Sequence, residues 1–259
     1  MTLASLIRRP SIQVFRVRPI LLRSTLIRSK VRSCAIAMAV LALAAMCTPL
    51  RSQQAVSGNA PSTATVTFTL DFPQSNPAHY SISVDATGHA RYECIGKIAE
   101  DSESQPDRAE FEVSPNNREK IFEWTKQAKY FSGKMDSGNS KLAFTGTKWL
   151  SYQDGQRSNS AQYNYSNLEP VRELTSLFQS MAGTLEYGSR LAYYHRYQKL
   201  ALDDELKHME AQAKSDELTE LQAVRPVLQE IVEDASVINV VRARAKELIE
   251  MGSGVAAGH

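Results

Sequence analysis

The stretch Ala64-Thr-Val-Thr-Phe-Thr-Leu-Asp-Phe72 decides the fold, because it alternates polar and apolar residues without a break. Its apolar side chains fall on one face and are Val66, Phe68, Leu70 and Phe72. A period of two in a stretch rich in β-branched residues is typical of a strand that is covered on one side. We therefore predict a strand here, in a sheet with one buried face.

Two hairpins are predicted further along the chain. The first keeps the same alternation on both sides of a turn at Asp85-Ala86-Thr87-Gly88. Its apolar positions are Tyr80, Ile82, Val84, Ala90, Tyr92 and Cys94. The second covers residues 144–152 and 161–165, with Asp154-Gly155 in the connection. Because Cys94 shares a face with apolar residues, we expect a buried and unreactive thiol.

The segment between the hairpins combines a loop, a short strand and a helix. Residues 100–108 are polar and acidic, which predicts a loop, and Phe111 and Val113 indicate a short strand after it. Ser114-Pro115 is typical of a helix start, with serine as the N-cap and proline in the first turn. This helix is expected to end at Gly133 and to cover one face of the sheet.

From Asn167 onward the apolar spacing becomes helical. The first stripe consists of Val171, Leu174, Phe178, Met181 and Leu185. Gly188 is predicted to break this helix, Pro226 to kink or restart a later one, and Asp234 to lie near another break. Strands and helices are segregated, so we predict an α+β fold: an antiparallel sheet of two hairpins plus strands with one packed helix, followed by a C-terminal helical subdomain.

The amino-terminal region predicts export. Residues 1–70 hold nine Lys and Arg and no acid, and they contain an uncharged apolar run, Cys34–Cys47. This run is shorter than the roughly 20 residues of a membrane span and matches the core of a signal peptide. We expect a periplasmic or extracellular protein; retention by an uncleaved N-terminal anchor, an organellar transit peptide and a start downstream of Met1 are the alternatives.

These signals divide the chain into five parts. We predict a basic leader and signal peptide at 1–52, a linker at 53–62, a sheet domain at 63–166, a helical subdomain at 167–251 and a flexible tail at 252–259. Removal of the leader leaves one cysteine, so the mature chain would have no internal disulfide.

Composition and charge exclude several classes of protein. The 259 residues are 42% hydrophobic and 22% charged, which is ordinary for a globular protein and unlike a disordered, collagen-like or multi-span membrane chain. Residues 71–259 hold 21 of the 30 bases and all 28 acids. An acidic body gives no support to nucleic-acid binding, which needs clustered Lys and Arg.

Motifs for catalysis and cofactors are scarce. The chain has no G-x-G-x-x-G or G-x-S-x-G motif. Glu205-x-x-His208 places two metal-ligand types on one helical face, but a di-iron bundle needs a second such motif and two further Glu. We predict no cofactor, no metal site and no identified catalytic residue. A hydrolase with carboxylates or a serine supplied by loops is the alternative.

Aromatic residues cluster on the second hairpin among polar ones. They are Trp149, Tyr152, Tyr163 and Tyr165. Such a surface can stack on sugars or anchor a partner, because tyrosine combines apolar area with a hydroxyl group. The alternative is that the rings cover the helix that follows, since strand aromatics usually pack against neighbours.

Two resemblances bear on function. Val224–Glu250 resembles one HEAT-like helical pair, with a proline in its first helix, Asp234 at the turn and VVRARAKEL in its second helix. The sheet part resembles small uncharacterised secreted bacterial α+β domains. The first resemblance implies protein partners, and the second implies an exported α+β module.

From the leader, the missing catalytic motifs and the long helices with charged outer faces, we expect a non-catalytic binding or adaptor module of the bacterial envelope. Its partner would be an envelope protein, or a glycan if the Tyr-rich hairpin binds carbohydrate. The oligomeric state stays open.

Overall fold

A computed structural model describes residues 64–98 and 102–253, which form six strands and five helices. The strands are β1 (Thr65–Asp71), β2 (His79–Asp85), β3 (His89–Gly96), β4 (Gln105–Glu112), β5 (Thr147–Gln153) and β6 (Ser158–Tyr163). The helices are α1 (Pro115–Gln127), α2 (Glu169–Tyr197), α3 (Leu202–Lys214), α4 (Arg225–Glu233) and α5 (Asn239–Gly252). The predicted leader and linker lie outside the described residues, as does most of the predicted tail.

The strands form one open antiparallel sheet in the order β4-β3-β2-β1-β5-β6. The stretch that opens the sequence analysis is at its centre, where Val66 lies opposite Val84 on β2 and opposite Tyr152 on β5. The alternate residues of β1 are buried on one face, as predicted. The α+β fold with an antiparallel sheet and a C-terminal helical part is therefore confirmed.

Helices α1 and α2 cover the buried face of the sheet. The ring of Phe68 on β1 stacks on the ring of Phe178 on α2, with 5.5 Å between ring centres. Both rings are fully buried, and burial of a side chain of this size contributes about 2 kcal/mol. The later helices continue the same hydrophobic core. In the described part of the chain, no helix combines the length and apolarity that a membrane span needs.

The predicted break at Gly188 is wrong, because α2 runs through this residue for 29 residues in total. Gly188 has a different role: a Cβ atom at this position would lie 2.5 Å from Cγ1 of Val224. The missing side chain lets the segment before α4 pack directly on α2. The helix ends at Tyr197, before a short 3-10 turn that leads into α3.

The predicted loop at 100–108 is partly wrong, because β4 begins at Gln105. This is an edge strand with mostly exposed residues, so its alternation is hard to see in the sequence. The prediction of a buried Cys94 also needs correction. Its side chain is on the same face as Ala90 and Tyr92, but it is only half-buried, because it borders a cavity.

Helix α1 starts at Pro115, as predicted, but Ser114 does not cap it. The Ser114 hydroxyl donates to Oε1 of Glu220 at 2.9 Å, and the Ser114 N–H donates to Oε2 at 2.9 Å. Asn117 donates to the same carboxylate at 2.7 Å. A negative charge is stabilising at a helix N-terminus. Glu220 therefore holds the start of α1 from 106 residues away.

Candidate functional site

A cavity of about 270 Å³ lies between α2 and the strands β3 and β4. We call it the Glu186 pocket. Its polar and reactive side chains are Asn76, Tyr92, Cys94, Lys97, Gln105, Asp107, Glu186, Ser189 and Arg190. The cavity is large enough for a small organic molecule, at the lower end of ligand-site volumes.

Local geometry brings these side chains together. Glu186, Ser189 and Arg190 are spaced by three and four residues, so they share one face of α2. Tyr92 and Cys94 alternate along β3 and point to the same side of the sheet. Asp107 is the partner of Cys94 in the β3–β4 register. One helical turn therefore faces the ends of two strands.

The loop before β2 forms one wall of the pocket. The Asn76 side chain donates to the carbonyl of Lys97 at 2.7 Å and accepts from its N–H at 2.7 Å. Gly96 is required for this contact, since a Cβ atom there would lie 2.8 Å from Cβ of Pro77. The wall is therefore fixed against the end of β3 by hydrogen bonds and by close packing.

Glu186 is the chemically unusual residue of the pocket. No hydrogen bond from a described residue reaches its carboxylate, and the nearest cationic group, the Arg190 guanidinium, is 3.9 Å away. That guanidinium also donates to Glu205 at 2.6 Å and covers the Tyr187 ring. Burial raises the pKa of Glu186 to about 7, and Arg190 only partly opposes this. The carboxyl group thus exchanges its proton near neutral pH.

The hydroxyl of Tyr92 is buried beside the Cys94 thiol. The residue is 1% exposed, and this thiol is the polar neighbour of its oxygen. Burial raises the pKa of this phenol, so the group stays protonated. Burial also raises the pKa of the neighbouring Cys94 thiol, with Asp107 and Glu186 adding to the effect. The thiol is therefore not an activated nucleophile.

Ser189 connects the helix to the edge strand across the pocket. Its hydroxyl donates to Oδ2 of Asp107 at 2.5 Å. None of the described residues that line the pocket is a histidine. Ser189 consequently has no base of the kind that activates a serine nucleophile, and the hydrogen bond holds α2 against β4.

The chain matches no model of a known protein family, and no curated protein matches it. The chemistry of the pocket is therefore argued from its own residues. Sequence reasoning missed Glu186, although one signal was present: it is the single charged residue between Glu173 and Arg190. Charged side chains are seldom buried without a partner, so a single charge in a long uncharged helical stretch marks a position whose surroundings need an explanation.

The four aromatic residues predicted from the sequence are not brought onto one surface. Tyr152 and Tyr163 are buried on the helix-covered face, and the Tyr163 hydroxyl is 2.6 Å from the Thr175 hydroxyl on α2. Trp149 is half-buried on the opposite face of the sheet. Tyr165 follows β6 and is 43% exposed. None of the four lies in the Glu186 pocket.

A second cavity, of about 400 Å³, lies near Lys148 on β5. Lys148 is 4% exposed, and its ammonium group donates to the Thr145 hydroxyl at 2.9 Å and to the Asn164 carbonyl at 3.0 Å. The Thr145 carbonyl accepts a third hydrogen bond at 3.2 Å. Burial lowers the pKa of this lysine. Its donors are already used, so it offers a ligand less than Glu186 does.

Metal ligands are dispersed in the structure. Across residues 64–98 and 102–253, no group of three or more His, Cys, Asp and Glu side chains is placed to hold a metal ion. Glu205 of the Glu205-x-x-His208 pair accepts a hydrogen bond from Arg190 instead.

Proposed function

We propose that the chain is an exported binding module that holds a small molecule in the Glu186 pocket. One observation carries the proposal: the Glu186 carboxyl group lines a cavity and receives no hydrogen bond from the described residues. A buried polar group without a partner costs about 1–3 kcal/mol, and such groups are rare in folded proteins. A bound ligand with polar atoms would remove that cost.

The other groups of the pocket favour binding over catalysis. The thiol of Cys94 is held protonated, and Ser189 is hydrogen-bonded to Asp107 without a histidine. The basic leader and the apolar run Cys34–Cys47 support export. An envelope protein or a glycan as a further partner stays a prediction from the sequence.

The test is a binding assay on the full chain with a panel of neutral, cationic and anionic compounds of 6 to about 12 heavy atoms, a size that fits small ligand pockets. Ligand-observed NMR detects weak binding. We expect some compounds to bind the natural protein and to lose binding in Cys94→Leu, which adds bulk inside the pocket. Leu142→Ala, at an exposed loop position away from the pocket, is the control. A panel without a single binder would overturn the proposal.

General acid–base catalysis by Glu186 is the second candidate, favoured by the pKa of about 7. If the protein is a hydrolase, as the alternative from the sequence holds, Glu186 is the residue of this pocket that would act as its acid or base. The test is a screen with chromogenic esters, amides and glycosides, followed by a pH–rate profile. Turnover that is lost in Glu186→Gln and shows an apparent pKa near 7 supports an enzyme. Binding without turnover supports the binding module.

A further inference from the structure

The two edges of the sheet differ in how they are protected. An open edge strand can pair with another chain, and proteins commonly prevent this with charged residues or proline. The β4 edge has a proline, Pro106, and four charged residues, Asp107, Arg108, Glu110 and Glu112. The β6 edge has neither kind of protection, since residues 158–168 contain no proline and no charge. The β6 edge is therefore open to pairing.

The backbone of β6 has free hydrogen-bonding groups along this edge. The Asp154 N–H donates to the Arg157 carbonyl at 2.9 Å, which fixes which residues of the hairpin bond to each other. From Arg157 onward every second residue bonds to β5, and the residues between them direct their N–H and C=O groups outward. These outward residues are Ser158, Ser160 and Gln162. No hydrogen bond from the described residues reaches their backbone groups.

The free stretch of edge has a defined end. After β6 the Asn164 N–H donates to the Asp136 carboxylate at 2.8 Å, and the Ser137 N–H donates to the Tyr165 carbonyl at 2.8 Å. The loop before β5 therefore occupies the edge beyond β6. Residues 158–162 are left for a strand that comes from outside the described fold.

We infer that this edge pairs with the same edge of a second copy of the chain, antiparallel and with Ser160 at the two-fold axis. In this register Ser160 lies opposite Ser160 of the second copy, and Ser158 lies opposite Gln162 of the second copy. Each of these pairs exchanges a reciprocal set of N–H···O=C hydrogen bonds, so every outward backbone group of residues 158, 160 and 162 gains a partner. The inference is independent of the Glu186 pocket, which borders β3 and β4 on the other side of the sheet.

Charge favours a second copy as the occupant. In a two-fold interface a residue at the axis lies beside its own copy, so a charge there would repel itself. The side chains of Ser158, Ser160 and Gln162 are uncharged and exposed, and hydroxyl pairs across strands are favourable. The same register brings Tyr165, which is 43% exposed, to the level of the second copy's turn at residues 154–157. An aromatic ring at that place can anchor the contact.

The test is sedimentation equilibrium of the full chain over a range of concentrations, where we expect a monomer–dimer equilibrium. Ser160→Lys places like charges at the two-fold axis and should weaken the dimer by about tenfold or more. Gln162→Lys, at the next outward position, is the second variant and should also weaken it. Ser81→Lys, on the same face of β2, adds the same charge three strands away and should change the dissociation constant by less than about twofold.

A mixture of two variants tests the register itself. Ser160→Glu alone should weaken the dimer as Ser160→Lys does. An equimolar mixture of the two should form a heterodimer, because opposite charges then face each other at the axis. Circular dichroism and urea denaturation of each variant confirm the fold, which a substitution at this exposed position should leave intact.

Three results would overturn the inference. A natural chain that stays monomeric at every concentration would leave the edge to a strand of another protein. A dimer that Ser160→Lys does not weaken, or that Ser81→Lys weakens equally, would use another surface or depend on net charge. A mixture of the Ser160→Lys and Ser160→Glu chains that stays monomeric would exclude the two-fold pairing at Ser160.

Discussion

Glu220 and Glu186 show two opposite ways of placing a carboxyl group inside this protein. Glu220 is 5% exposed and accepts hydrogen bonds from Ser114 and Asn117 at the start of α1. Glu186 is 23% exposed and receives no hydrogen bond from the described residues. The donors around Glu220 come from a helix that its charge stabilises. The pocket around Glu186 leaves the carboxyl free for something outside the protein fold.

Lys148 extends the comparison to a cation. It is buried like Glu220 and surrounded by three acceptors within 3.2 Å, so its place in the structure is filled. A buried charge with complete hydrogen bonding holds the fold together, whereas one without it is a candidate for binding. The number of hydrogen bonds that a charged group receives therefore distinguishes a structural position from a candidate binding position better than its burial does.

The largest effect is expected for Glu220→Ala. The substitution leaves the Ser114 N–H, the Ser114 hydroxyl and the Asn117 amide without their acceptor, at a cost of about 3 kcal/mol in the free energy of unfolding. Urea denaturation at pH 7 measures it. Glu217→Ala, at an exposed position, is the control and should change the free energy by less than about 0.5 kcal/mol. Equal effects for the two variants would show that Glu220 does not hold the start of α1.

A gain in stability is expected for Glu186→Gln. Because the folded-state pKa is raised to about 7, the natural protein is most stable below about pH 4.5 and loses stability as pH rises through 7. Glutamine has no such loss, so the variant should be about 2 kcal/mol more stable at pH 8, with allowance for partial exposure of the carboxyl. The difference should disappear at pH 4.5.

Denaturation curves at pH 8 and pH 4.5 test whether the substitution stabilises the protein as expected. Glu173→Gln on the exposed side of α2 should show no such pH dependence. A Glu186→Gln variant that is less stable than the natural protein at pH 8 would show that the carboxylate is hydrogen-bonded after all.

Gly188→Ala probes the packing between the two regions. The added Cβ would meet Val224, which is stiff because it is β-branched, and overpacking costs about 1–3 kcal/mol. Alanine recovers about 1 kcal/mol of helix propensity, so we expect a net loss of about 1 kcal/mol. Gly183→Ala is the matched control on α2: its Cβ would meet only the end of the Leu218 side chain, and thermal melting should show no loss.

The smallest effect concerns the Cys94 thiol. In a chain carrying Cys34→Ser and Cys47→Ser, a thiol reagent should label native Cys94 slowly at pH 8, because burial raises its pKa. Adding Glu186→Gln removes a neighbouring negative charge and should raise the labelling rate by about twofold. Labelling at the rate of an exposed thiol would show that the pocket is open.

The fold was predictable where a single local period dominates. Alternation in residues 64–72 and in the first hairpin gave the centre of the sheet, and helical spacing after Asn167 gave α2. The period failed at the edge strand β4, where both faces are polar, and at Gly188, where the reason for glycine is a contact with residue 224. Local patterns do not contain such contacts.

The candidate site was not predictable for the same physical reason. Tyr92 and Glu186 are almost 100 residues apart in the sequence, and their meeting depends on how α2 crosses the sheet. Tyr92 carries the alternation of β3 and is indistinguishable in the sequence from any other core residue, although it lines the pocket. The isolated charge of Glu186 was the one usable signal in the sequence.

The hydrogen bonds from Ser114 to Glu220 also impose an order in time. During synthesis at about 5–20 residues per second, the 106 residues between them take about 5–20 s to be added. For that interval the Ser114 and Asn117 donors have no Glu220 carboxylate to bind. The hydrogen bonds that hold the start of α1 can therefore form only after residue 220 has been made.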